Sequence, residues 1–388
     1  MSRIYLDHAA ATPLSPAAWM AMEPFLLNEF GNPSSVHAEG VRARKALDTA
    51  HEIVARCIGA RVDEIVFTSG ATESINLAIL GTLKSAAGKG NHVIAVATEH
   101  AAVLNVFRLS GAEVTLVPVD EYGRVRTEDI IEALRDTTVL VSLMMVNNEI
   151  GVVQDIHDIG NAIDTWRKKR GAVYPLFHTD ASQAPNYVPV DVNLLHVDLL
   201  TLSSPKVYGP KGMGALFLRR HAPWASVFGG GSQEHGRRPG TENIAGAVGF
   251  ATALQETVAM RDRETRRVTQ IRETFIDGLL AIPGTRLNGH RLHRVANNIN
   301  VSFERIDGEE LVLRLDAKGI AISMGSACKG GEAPSHALAA LGLSPETIRG
   351  SVRFSLGRST TQHDLEVTLQ TVRDVVESMR KEYKGSIL

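Results

Sequence analysis

The chain has 388 residues, of which 44% are hydrophobic, 22% charged and 5% aromatic, and its formal net charge is −2. Such a length favours two domains with ample chain to bury a core, and the composition is that of a globular protein rather than a disordered one. A charge so close to neutral leaves no electrostatic case for nucleic acid or an anionic membrane as partner. No apolar run approaches the roughly 18 uncharged residues of a membrane helix, and the first thirteen residues lack the apolar core of a signal peptide, so a cytoplasmic location is expected. The two cysteines, Cys57 and Cys328, cannot make a disulfide framework, and no paired Cys/His spacing suggests a metal.

Residues 1–15 read as a short extended piece broken by Pro13 and Pro16. Helical periodicity runs through Trp19, Met22, Phe25 and Leu26 and again over 41–58. Strand and helix then alternate: strand 64–68 with helix 72–86, strand 93–98 with helix 101–109, strand 114–119 with helix 128–135, and strand 139–146 with helix 156–170. Repeated βα units predict an α/β fold with a mostly parallel sheet covered by helices. Two more apolar runs, 173–177 and 197–203, continue the pattern, and 215–218 follows them. One helical stretch over 241–280 then outlasts an ordinary globular helix and reads as a connector. The remainder mixes strands (298–303, 320–323, 351–356) with helices (308–318, 361–383), which suggests a smaller α+β domain. The expected division is a large domain over 16–250 and a small domain built from 1–15 and 251–388.

The run 197–203 stops at Ser203-Ser204-Pro205 and is followed at once by Lys206. A strand end puts a side chain at the carboxyl edge of the sheet, where open α/β folds collect ligands. Alone, such a lysine is an ordinary solvated residue. The run 173–177, however, ends in His178-Thr179-Asp180-Ala181-Ser182-Gln183, so an acid stands at a neighbouring strand end. A lysine that carries pyridoxal 5'-phosphate (PLP) as a Schiff base needs such an acid to keep the pyridinium nitrogen protonated. Ser69-Gly70-Ala71-Thr72 lies between a strand and a helix, where backbone N–H groups and the Thr72 hydroxyl can gather round a phosphate. His100 follows a strand and opens a helix at the same edge. Cys328 is flanked by Gly325, Gly330 and Gly331 and followed by Lys329, a setting for an accessible thiolate. Cys57, within an amphipathic helix, reads instead as a small buried hydrophobe.

These pieces stand in a longer series: YLDHAAATP at 5–13, FGNPSSVH at 30–37, FTSGATES at 67–74, VNNEIGVVQ at 146–154, HTDASQ at 178–183, SSPKVYGPKGMGAL at 203–216, RPGTEN at 238–243, GSAC at 325–328 and RFSLGR at 353–358. The series resembles the cysteine desulfurases of the NifS/IscS class, which are fold-type I PLP enzymes of the class V aminotransferase family. The resemblance implies a seven-stranded large domain and a homodimer with a shared active site. It implies that L-cysteine is converted to L-alanine while the sulfur passes to Cys328 as a persulfide. Among the residues, Lys206 would carry PLP and move the Cα proton, Asp180 would hold the ring nitrogen, Gln183 the ring hydroxyl, and His100 would stack on the ring and shuttle protons. Ala71, Thr72 and Ser203 would hold the phosphate, with Thr241 reaching it from the other subunit, and Asn148 and Arg353 would hold the substrate carboxylate. An iron–sulfur scaffold or a thiolation enzyme would take the sulfur. Three departures stand out: Pro205 where the family has histidine, a 328–334 segment about one residue short, and His235 where arginine is expected. Selenocysteine lyase and cysteine sulfinate desulfinase remain alternatives on the same cofactor, as does a degenerate PLP-fold binding protein.

Overall fold

In the computed structural model, which describes residues 3–324 and 335–385, the alternating runs fold as βα units. After β1 (Ile4–Tyr5), α1 (Pro16–Leu27) and α2 (Ala38–Cys57) come β2 (Ile65–Thr68), α3 (Ala71–Ser85), β3 (His92–Val96), α4 (Ala101–Ser110), β4 (Glu113–Val117), α5 (Thr127–Glu132), β5 (Thr138–Met144), α6 (Ile156–Arg170), β6 (Leu176–Asp180), β7 (Leu199–Ser203) and β8 (Gly214–Leu218). Strands β2 to β8 make one seven-stranded sheet in the order β2-β8-β7-β6-β5-β3-β4. Its pairs are parallel except the two made by β8. Successive residues feed opposite faces, as the pleat requires: Ile65, Phe67 and Phe217 enter one core, and Val66, Leu216 and Leu218 the other. With both faces covered, β5, β6 and β7 are buried throughout, which explains their near-continuous apolar runs. The chain runs from β3 to β4 on one side and returns to β5 on the other, so the crevice between the β3 and β5 ends is the topological switch point where such sheets bind ligands.

The second part of the chain comprises α7 (Ile244–Leu280), β9 (Thr285–Leu287), β10 (Asn298–Phe303), α8 (Gly308–Asp316), β11 (Ile320–Ala321), α9 (His336–Ala340), α10 (Pro345–Arg349), β12 (Ser351–Ser355) and α11 (Gln362–Gly385). An antiparallel sheet, β12-β10-β9, forms its centre. Helix α7 bridges the two parts through glycines that admit close packing: Gly249 lies against Met22 of α1, and Gly278 against Leu369 of α11. Residues 3–12 cross the other way, since β1 pairs in parallel with β11 and Asp7 bridges Ser355.

The periodicity locates most elements within a few residues, with instructive differences. The strand expected at 173–177 begins at Leu176, after Pro175, which has no N–H to donate to a ladder. The strand expected at 320–323 shortens to the two residues of β11, with Ser323 held by an isolated bridge to Arg353, and β9, α9 and α10 are too short to leave a period in the sequence. Among the described residues no helix is long and apolar enough to cross a membrane.

Candidate active site

The carboxyl ends of β3, β5, β6 and β7 open into a cavity of about 480 Å³, lined by Ala71, Thr72, His100, Asn148, Asp180, Gln183, Ser203, Lys206 and Arg353 among others. Each of these arrives on a strand end, on the turn or helix start beyond it or, for Arg353, on β12. Nearly all the residues singled out from the sequence are therefore neighbours. Thr241 is not among them; it lines an adjoining hollow with Ser69, Met213 and Glu242. Cys328 lies outside the described residues.

Lys206 ends a short 3-10 turn, Ser204–Lys206, that follows β7. The turn is fixed on both sides: the Pro205 carbonyl accepts the Thr12 N–H at 2.9 Å and its hydroxyl at 3.0 Å, and the Lys206 carbonyl accepts from Asn186 Nδ2 at 2.6 Å. The ammonium Nζ donates to the Ala10 carbonyl. On the neighbouring strand Asp180 is 6% exposed, and its Oδ1 accepts the Ser182 N–H at 2.9 Å. Ser182 Oγ, in the same wall, is buried without a hydrogen-bond partner among the described residues.

Helix α3 starts at the cavity with Gly70 as its N-cap, and no side chain caps it. Its first N–H groups therefore remain available to an anion. Gly70 has φ 151°, a region open to glycine, and Gly214 of β8 lies directly behind it. A Cβ on Gly214 would come 2.7 Å from the Gly70 carbonyl carbon, so both glycines are needed for the turn to sit this low. The carboxylate in the first turn is held elsewhere: Glu73 accepts from Ser69 N–H at 2.6 Å and pairs with Arg238 at 2.9 Å. Burial pushes the Glu73 acid up, and the Arg238 and Ser69 contacts outweigh it and hold the group below the usual carboxylate range.

His100 caps α4 by accepting the Ala102 N–H on Nδ1 at 3.1 Å, so the neutral ring carries its proton on Nε2. The adjacent Glu99 is fully enclosed and accepts the Met144 N–H at 2.6 Å. Burial, reinforced by the charge of Asp180, raises its carboxyl well above the ordinary range and favours the neutral acid. Asn148 follows β5 in a loop braced by Asn147, whose Oδ1 accepts the Glu149 and Ile150 N–H groups at 2.9 Å. From β10, Asn298 and Asn300 both donate to the Glu149 carbonyl at 3.2 Å. Arg353, 2% exposed, donates to the Asn148 carbonyl at 2.8 Å and pairs with Asp7 at 2.7 Å.

Several groups in the cavity or paired with its residues were not singled out from the sequence. Asp7 and Ala10 belong to the YLDHAAATP motif, whose acid stands just before a run of small residues. Ser335 donates to Glu149, and His336 Nε2 meets the Glu99 carbonyl at 2.7 Å. Nothing in local spacing connects residues 335 and 336 with 99 and 149. The Cys57 thiol, half-buried at the end of α2, is pushed up to about 11 by burial, as suits an unreactive core cysteine.

A family model described as aminotransferase class-V matches residues 4–367. A cysteine desulfurase IscS of Dictyoglomus turgidum is 43% identical over 382 residues, covering 97% of this chain and 95% of that protein. One from Methanosarcina thermophila is 44% identical over 381 residues, covering 97% and 93%. Among solved structures, a NifS-like protein superimposes with a TM-score of 0.90 at 31% identity, covering 97% of this chain and 99% of the other. The chain belongs to the class-V aminotransferase family, in its cysteine desulfurase branch.

Proposed function

We propose that this protein is a PLP-dependent cysteine desulfurase that converts L-cysteine to L-alanine and transfers the sulfur to its own Cys328. The observation that carries the reading is the convergence of Lys206, Asp180 and the uncapped α3 N-terminus on one cavity. The donor set fits the cofactor: an amine to hold it covalently, a buried carboxylate for a protonated ring nitrogen, and helix N–H groups with Thr72 and Ser203 for a phosphate. Bound there, PLP would supply an electron sink at the substrate Cα.

The chain's own groups would do the rest. Arg353 and Asn148 hold the substrate carboxylate, and Gln183 would hydrogen-bond the ring hydroxyl. The Lys206 amine takes the Cα proton, and His100, with its proton on Nε2, donates toward the reacting atoms. The Cys328 thiolate attacks the substrate sulfur, the carbon–sulfur bond breaks, and the carbon gains a proton. L-Cysteine and a Cys328 thiol thus become L-alanine and a Cys328 persulfide, with no external oxidant. Chain length supports access: Ser323 exchanges backbone hydrogen bonds with Arg353, and His336 contacts Glu99, so both flanks of 325–334 are tied to the cavity rim.

A homodimer is part of the reading. Trp19, Met20, Leu26, Leu27, Phe30 and Val36 expose large apolar side chains along α1 and the loop after it, a patch of the kind that marks a protein interface. Thr241 lies away from its own cavity, which suits a contribution to the partner's. An iron–sulfur scaffold or thiolation enzyme would then accept the sulfur.

Borohydride reduction and peptide mapping should find the pyridoxyl group on Lys206. Cys328→Ser should still bind L-cysteine, read from the cofactor's visible spectrum, yet release almost no alanine, while Cys57→Ser should match the parent. Wild-type turnover by Cys328→Ser would refute the persulfide route and favour a lyase.

A further inference from the structure

Arg353 sits on β12 with 2% of its surface exposed. A guanidinium so deeply buried is costly unless charge and hydrogen bonds compensate it. Among the described residues, the Asn148 carbonyl at 2.8 Å supplies a neutral part of that compensation. Among the described residues the carboxylate paired with it is Asp7, at 2.7 Å, with 20% of its side chain exposed. Asp7 cannot drift from this position. Its backbone bridges Ser355, and its carbonyl accepts the Tyr5 hydroxyl at 3.0 Å and the Ala10 N–H at 3.1 Å.

A ligand carboxylate that reaches Arg353 therefore meets a guanidinium whose charge is already balanced. We propose that Asp7 is the resting counter-ion of Arg353, that it shares the guanidinium with the substrate's α-carboxylate, and that its charge lowers the affinity of the site for that carboxylate. The inference rests on Arg353 being the carboxylate anchor. Two effects of Asp7 oppose each other: it helps orient the guanidinium, and it repels the incoming anion. The first is largely duplicated, because β12 is clamped between β10 and Ser323 and Asn148 holds the other arm of the fork. Among the described residues, the second comes from the carboxylate paired with the guanidinium, Asp7. A positioning residue of this kind favours ready release of an α-carboxylate product over tight capture.

The test compares two amines that lack a sulfur to lose, L-alanine and ethylamine, which differ by the carboxylate. Their dissociation constants are measured on PLP-loaded wild-type, Asp7→Asn and Asp7→Ser proteins by calorimetry and by the visible spectrum. Asp7→Asn keeps an oxygen for Arg353 Nη2, and Asp7→Ser supplies a smaller neutral group should the amide disturb folding. Removing the like charge should tighten L-alanine by about three- to tenfold in both variants, after screening, and leave ethylamine within about twofold. Unchanged or weaker L-alanine binding would overturn the proposal, as would equal shifts for both ligands, which would mark a merely structural role. Wild-type protein that binds L-alanine no better than ethylamine would overturn the carboxylate assignment of Arg353 and the proposal with it.

Discussion

Gly214 shows how a residue with no side chain can govern a ligand site. A Cβ there would approach the Gly70 carbonyl carbon to 2.7 Å and the Leu202 carbonyl oxygen to 2.8 Å, distances that backbone atoms relieve only by moving. Moving Gly70 tilts the first N–H groups of α3 away from the cavity. Gly214→Ala should therefore fold, because β8 remains paired on both sides, but lose PLP faster on dialysis, by an order of magnitude or so for about 1–2 kcal/mol of lost phosphate binding. Absorbance of retained cofactor against time reads this directly. At this scale Lys206, Asp180, His100 and Thr72 were legible because each follows a strand that announces itself by composition. Asp7 and His336 were not, because their meaning depends on partners at Arg353 and Glu99, more than 200 residues away in the chain.

Among the elements, the segment from Ser232 to Gly240 bears the clearest strain. Glu234 and His235 both have positive φ, 49° and 58°, at a cost of order 1–3 kcal/mol each. What holds them is the Glu234 carboxylate, which accepts the Phe67 N–H on edge strand β2 at 3.0 Å and meets His51 Nε2 at 3.0 Å. Burial alone would lower the His51 pKa, and the Glu234 contacts more than reverse it, so the imidazolium is favoured beyond its ordinary value of 6.5. A raised folded pKa means that this contribution is complete below about pH 6.5 and fades as pH climbs through the folded value. Glu234→Gln should remove that alkaline decline in urea-unfolding stability measured between pH 6 and 9, and should cost about 1–3 kcal/mol at pH 6. The same segment leads to Arg238 and Thr241, so loosening it should also slow cofactor uptake. Sequence reading found RPGTEN as a motif but not this anchor, since a left-handed glutamate carries no compositional sign.

For the molecule as a whole, two enclosed histidines dominate the acid side. His178 lies fully within β6 between Ser142 and Thr201, and His8, 3% exposed, packs against Tyr5 and Gly357. Burial pushes both down to about 4. A base whose folded pKa is depressed is protonated first in the unfolded chain, so stability falls as pH drops from about 6.5 toward 4, by up to about 1.4 kcal/mol per pH unit for each group. Urea midpoints should decline between pH 7 and pH 5, and His8→Leu should reduce the slope by about one proton. The mostly parallel sheet followed from βα units that the sequence repeats visibly, and the long α7 from an uninterrupted helical stretch; the strand order had no such sign. The β1–β11 pairing had none either, because two residues cannot display a period.

That pairing bears on the order in which the protein is made. Ile4 lies against Ile320 and Asp7 against Ser355, while Ala10 and Thr12 reach Lys206 and Pro205. The seven-stranded sheet can assemble as soon as residue 218 has left the ribosome. The chamber is finished later, because residues 4–7 of the strap that floors it lack their strand partners until about 100 further residues have been translated, and contacts so distant in sequence form slowly. Nascent chains halted after β8 should thus show protected sheet amides by hydrogen exchange while residues 4–7 remain open to protease. The substrate-binding chamber would thereby be completed only when synthesis is nearly over.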